Sequence, residues 1–191
     1  MRTLTAAGFP MKLLIVLFFS LTALGNQDKW AVADSATLRL PATAFSQLPK
    51  NIARYLQAAG RKIPQSYISS DPHNVIKGEF AKRGQTDWAV LCSRKAESSM
   101  LIFWGGSTKS VSDIARARDR LFLQTVNEGR IGFSRNIQSV GRDYILSHYK
   151  AYGGPKPPSL THQGIDDGYL EKASVVLYYY RGRWLKLQGA D

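Results

Sequence analysis

The chain has 191 residues, 44% of them hydrophobic, with one cysteine and a formal net charge of +12. That length accommodates one domain with an apolar core but not two comfortable ones. A single thiol excludes an internal disulfide framework, so packing has to supply the stability.

The first 25 residues have the layout of a secretory signal peptide: Arg2 and Lys12, an apolar run from Leu13 to Leu24, then Ala23-Leu24-Gly25 as a small-x-small cleavage site before Asn26. The apolar run is short of the roughly 20 residues that a membrane-spanning helix needs, and no later stretch approaches it. The expected mature protein is secreted or periplasmic, with no transmembrane segment after cleavage. Asn26, where a lipid-anchored form needs cysteine, argues against that route. Removing Arg2 and Lys12 takes the charge from +12 to +10, which suits anionic lipid, an envelope polymer or an acidic protein partner. The basic residues lie scattered, among them Lys82-Arg83, Arg94-Lys95, Arg116, Arg118 and Arg120. No nucleic-acid-binding motif accompanies them, and no nucleic acid is expected as partner.

Residues 26–44 carry little periodicity and are read as an extended lead-in to a single globular domain over 45–191. Leu48, Ile52, Tyr55, Leu56 and Ala59 fall at helical spacing, with Pro49 in the first turn and Gly60 as the stop. Strands are expected over Asn74 to Phe80, Asp87 to Ser93 and Ser99 to Trp104, with connections short enough for antiparallel neighbours. Cys92 sits within the second, inside Trp88-Ala89-Val90-Leu91-Cys92, and reads as a buried thiol. Ser112 is expected to cap a short helix through Ile114, Ala117 and Leu121. Leu121 to Val126 and Ile131 to Val140 then read as a hairpin around Asn127-Glu128-Gly129. A helix carrying Tyr144, Ile145, His148 and Tyr149 closes at Gly153-Gly154. Ala173 to Tyr180 and Arg183 to Gln188 form the strongest β signal, turning at Arg181-Gly182 with Tyr179 opposite Trp184 and Tyr178 opposite Leu185. Apolar residues on both faces place this hairpin near the middle of a sheet. The fold expected is α+β: one mainly antiparallel sheet of about six or seven strands with two or three packed helices.

Two groups of residues are candidates for chemistry. In Thr161 to Gly168, His162 with Asp166 or Asp167 offers a hydrolase-like acid–base set on a loop. The competing reading makes an aspartate the cap of a helical turn through Tyr169-Leu170-Glu171. Trp104, Tyr179 and Trp184 are candidate stacking surfaces for a ligand, or else core. Three histidines, none paired at ligand spacing, give no metal site, and no serine-nucleophile or phosphate-loop motif implies a cofactor.

Gly78 to Val90 resembles one repeat of the FG-GAP type found in integrin-like propellers, whose loop binds calcium. Ala81, Lys82 and Arg83 stand where oxygen ligands belong, and the repeat occurs once. The segment therefore reads as a strand–turn–strand without metal, with Asp87 steadying the turn. The run Gly84-Gln85-Thr86-Asp87-Trp88-Ala89-Val90-Leu91-Cys92-Ser93, then His162 to Asp167 and Lys172 to Asp191, resembles exported bacterial proteins of unknown function. That resemblance implies a secreted single domain and no particular activity. Two functions stay open: an exported, non-catalytic domain binding a protein partner or envelope polymer, and a hydrolase-like enzyme using His162 with Asp166 or Asp167.

Overall fold

Four separate antiparallel sheets, of two, four, two and four strands, replace the single sheet of six or seven strands expected from sequence. The computed structural model describes residues 28–189, so the expected signal peptide lies outside the described residues. In chain order the elements are α1 (Lys29–Ala36), β1 (Arg39–Leu40), α2 (Lys50–Ala58), β2 (Ile63–Pro64), β3 (Val75–Gly78), β4 (Asp87–Arg94), β5 (Glu97–Phe103), β6 (Val111–Arg118), β7 (Leu123–Thr125), β8 (Ile131–Phe133), β9 (Arg135–Val140), α3 (Arg142–Tyr152), β10 (Gly164–Tyr169), β11 (Ala173–Tyr180) and β12 (Arg183–Gln188). The two larger sheets run β3-β4-β5-β6 and β12-β11-β10-β9, and the small ones pair β1 with β2 and β7 with β8.

The pleat explains the layering. Alternate residues of a strand face opposite sides. In β4 and β5, Val90, Cys92, Leu101 and Phe103 pack against Ile52 and Leu56 of α2. Their neighbours Ala89, Leu91, Met100 and Ile102 meet Ile137, Ile165 and Leu177 of the second sheet. The far face of that sheet, with Val176, Tyr178 and Leu187, is covered by Ile145 of α3. Helix, sheet, sheet and helix thus stack in four layers. Cys92 lies fully buried in the first interface. Burial pushes its thiol well above the ordinary cysteine value, with the charge of Arg61 acting the other way.

Helix α2 matches the sequence reading. Leu48, Ile52 and Leu56 are buried on one side. The helix ends in a Schellman motif, with Gly60 N bonded to Gln57 O and Arg61 N to Leu56 O, both at 3.0 Å. Gly60 takes φ +64°, which only glycine adopts without strain.

Other expectations are corrected. The lead-in is not extended throughout: it contains the helix α1, capped by the Asp28 carboxylate on Trp30 N. That helix buries none of its residues, so no apolar stripe marks it. The helix expected after Ser112 is β6, a strand. A bulge shifts its register against β5 between Ser98 and Met100, and the extra residue breaks the period-two alternation so that Ile114 and Ala117 mimic helical spacing. Ala115, at the bulge, has φ +52°.

The run Ile131 to Val140 is two strands in two sheets. Phe133 pairs with Leu123, Arg135 pairs with Tyr169, and Ser134 between them bonds Phe122 O through its N–H. The β11–β12 register is as expected, Tyr179 opposite Trp184 and Tyr178 opposite Leu185. Its position is not, because β12 is an edge strand. Its apolar residues on both faces answer to layers above and below the sheet rather than to flanking strands.

Candidate functional site

His162, Asp166 and Asp167 do not come together. Asp166 and Asp167 lie in β10, not in the cap of a helical turn, and as successive strand residues they point to opposite faces. Asp167 turns toward the space between the large sheets, where it holds Arg135: its two oxygens accept from Nε at 2.8 Å and Nη2 at 2.7 Å. Asp166 turns toward α3 and accepts from the Tyr144 hydroxyl at 3.1 Å. His162 precedes the strand, its Nδ1 3.0 Å from Gln163 O. Among the described residues no hydrogen bond links His162 to either aspartate.

The imidazole that acts on Asp166 is His148, on α3. Burial raises the Asp166 pKa, while bonds from Tyr144 and Ser174 and the charge of His148 pull it down. Asp166 Oδ1 and His148 Nε2 are both buried without a hydrogen-bond partner. In the sequence His148 stands only as part of a helix with Tyr144, Ile145 and Tyr149, and nothing in the spacing from Asp166 reveals that the helix lies back across the strand.

Arg135 is 1% exposed and links both large sheets. Beyond Asp167 it donates to Ser98 Oγ of β5 at 3.1 Å and to Ala115 O of β6 at 2.7 Å. The positive φ of Ala115 aims that carbonyl inward. Arg135 also lies 4.5 Å from the Phe122 ring centroid.

Asp87, singled out in the FG-GAP-like segment, steadies its turn as expected. Oδ2 accepts from Phe80 N at 3.0 Å and Ala81 N at 2.9 Å. Oδ1 accepts from Gly105 N and Gln85 Nε2, both at 2.7 Å. The segment is a strand–turn–strand closed on one fully buried carboxylate.

Trp104, Tyr179 and Trp184 form one cluster. Ring centroids lie 4.7 Å apart for Trp104–Tyr179, 5.7 Å for Trp104–Trp184 and 5.5 Å for Tyr179–Trp184. All three are half-buried. The Trp104 indole N–H donates to Ser112 Oγ at 3.0 Å, whereas Trp184 Nε1 is buried without a partner. The rings spend their faces largely on one another and seam the two large sheets together.

The feature least visible in the sequence is cationic. Beyond the end of α2, the chain carrying Arg61 and Lys62 runs beside β4, and Lys62 and Ser93 exchange backbone bonds of 3.0 and 2.7 Å. Arg61-Lys62 is thereby set next to Arg94-Lys95, the tip of the β4–β5 hairpin. Two hollows flank that tip. One, of about 320 Å³, is lined by Lys62, Arg94 and Lys95 together with Ser35, Arg39 and Ser93. The other, of about 310 Å³, shares Arg94 and Lys95 and adds Arg61, Arg116 and Glu97.

Some of these cations are committed. Arg61 pairs with Asp113 at 3.2 Å. Arg116 pairs with Asp113 and with Glu97. Arg39 bridges Asp34 and the fully buried Asp119, which also accepts from Ser93 Oγ. Burial works against the charge on Arg39, yet the bonds to Asp119 and Asp34 outweigh it and hold the guanidinium above the usual arginine value. Lys62, Arg94 and Lys95 have no carboxylate partner among the described residues, and all three are exposed. These residues look scattered in the sequence because they are distant in the chain. The one local sign is a basic dipeptide in the polar stretch between two strands.

Comparison with family models, with curated proteins and with solved structures finds no match to this chain. Among the described residues no helix is long and apolar enough to cross a membrane, and no three metal-ligating side chains gather.

Proposed function

We propose that the protein is an exported, non-catalytic domain that binds an anionic polymer of the cell envelope through the hollow beside the β4–β5 tip. The carrying observation is the convergence of Lys62, Arg94 and Lys95 on one hollow without carboxylate partners. Uncompensated cations around a concavity focus the field of a chain that carries +10 without its leader, +12 less Arg2 and Lys12, and draw anions to that place. The divergence of His162, Asp166 and Asp167 supports binding over hydrolysis, which needs its acid and base on one reacting group. Export rests on Arg2, Lys12 and the apolar run Leu13 to Leu24.

Sedimentation with isolated envelope polymer, intact or stripped of its anionic substituents, tests the reading. Binding to the intact polymer is expected, weakening steeply toward about 1 M salt, where the screening length falls to about 3 Å. Equal binding to the stripped polymer, or capture of an acidic protein with no affinity for polymer, overturns it.

A further inference from the structure

The hairpin tip itself points to the anion. Lys95 and Ala96 form a two-residue turn with φ of 54° and 57°, while Arg94 pairs with Glu97 across it. Two successive positive φ values define the turn type in which Asn-Gly is favoured, because a β-carbon there crowds the following carbonyl. This chain places lysine and alanine in that strained geometry. The turn would close with less strain without a side chain at Lys95, and that residue lines the hollow together with Lys62 and Arg94.

The hollow then selects among anions. About 320 Å³ leaves room for a compact charged group, well beyond the few tens of Å³ that a single water needs on any measure. Its single lining carboxylate, Asp34, is already bonded to Arg39. Three uncommitted cations call for a guest with more than one charge and several acceptor oxygens. A phosphate monoester carries about −1.5 to −2 with three terminal oxygens, and one face of it suits the Arg94 fork. A carboxylate brings one charge and two oxygens.

Building on the polyanion reading above, we propose that the hollow between Lys62, Arg94 and Lys95 seats a phosphate monoester group, carried by an envelope glycan or by a lipid headgroup. The tip residues are binding residues, and the strain at Lys95-Ala96 is the cost of presenting them.

Titration calorimetry with two chemically matched probes tests this: phosphorylated dextran and carboxymethyl dextran of equal substitution, with vesicles containing phosphatidate as the lipid arm. Tighter binding of phosphorylated dextran by roughly fivefold or more is expected. The paired replacement Lys95→Asn with Ala96→Gly is expected to raise the melting temperature and weaken that binding about tenfold. Lys62→Ala, a fully surface change, serves as a second variant and is expected to weaken binding without altering the melting temperature. Equal affinity for the two dextrans overturns the phosphate assignment and leaves the polyanion reading standing. Full affinity in the turn variant overturns the role of the tip. Binding to phosphatidate vesicles but to neither dextran supports the phosphate group on a lipid and overturns the polymer. Binding to none of the three overturns both.

Discussion

Two aspartates show how far the surroundings of a carboxylate decide its role. Asp87 is fully buried and accepts four hydrogen bonds, three of them from backbone N–H groups of Phe80, Ala81 and Gly105. Asp87→Ala leaves those donors without an acceptor, and each such buried group costs about 1–3 kcal/mol. A loss of about 4 kcal/mol is therefore expected in urea unfolding, and a loss under about 1 kcal/mol would show that the turn closes without this carboxylate. Asp166 is the opposite case. Burial raises its pKa, although Tyr144, Ser174 and His148 favour its charged form. A carboxyl whose folded pKa is raised favours the folded state while protonated, and that contribution is lost as pH rises through its range. Asp166→Asn keeps an oxygen for the Tyr144 hydroxyl and removes the buried charge. The stability of this variant relative to wild type is expected to increase as pH is raised from 4 to 7, an interval that opens near the value of about 3.9 for an unperturbed aspartate. A flat difference across thermal melts in that interval would count against the shift.

At the scale of elements, the two large sheets are joined by apolar packing and by one buried cation. Arg135 of β9 bonds Asp167 of β10, Ser98 of β5 and Ala115 of β6. Arg135→Ala strands the Asp167 carboxylate between the sheets and is expected to cost about 3–5 kcal/mol. Replacing the pair together, as Arg135→Met with Asp167→Leu, is expected to recover most of that loss, since an apolar pair carries no desolvation cost. Chemical denaturation of the two variants decides this, and a double variant as unstable as the single one refutes it. What could be read of the elements follows the same physics. Leu48, Ile52 and Leu56 mark α2 because one helix face is buried, and Gly60 marks its end because the Schellman motif needs a positive φ. Tyr179 opposite Trp184 follows from a two-residue turn at Arg181-Gly182. The bulge at Ala115 defeated the period that would have announced β6. Ser134 divides an unbroken β signal between two sheets through a bond to Phe122 O that lies outside any local pattern. The edge position of β12 was hidden because layers above and below a sheet give a strand the same two apolar faces as flanking strands do.

For the whole molecule, charge is legible from sequence as a sum but not as a place. Arg61-Lys62 and Arg94-Lys95 are separated by β2, β3 and most of β4, and the exchange of backbone bonds between Lys62 and Ser93 is what makes them neighbours. For His162 with Asp166 or Asp167 the converse holds: closeness in the chain does not by itself join them, since a strand sends the two aspartates to opposite faces and no hydrogen bond among the described residues links His162 to either. The aromatics Trp104, Tyr179 and Trp184, named together from sequence, do meet, because two of them face each other across the β11–β12 hairpin. If the leader is removed as proposed, intact-mass measurement of the exported protein is expected to place its first residue at Asn26, and a retained Met1 would contradict that. The account's central claim is that the cations at the β4–β5 tip make this a polyanion-binding domain. Its most direct test is calorimetric titration of anionic envelope polymer into wild type and into a variant carrying Arg94→Glu and Lys95→Glu, both with native melting behaviour. Saturable binding by wild type, lost on charge reversal, is the predicted result; equal binding by the two proteins, or no binding by wild type at low salt, would contradict it.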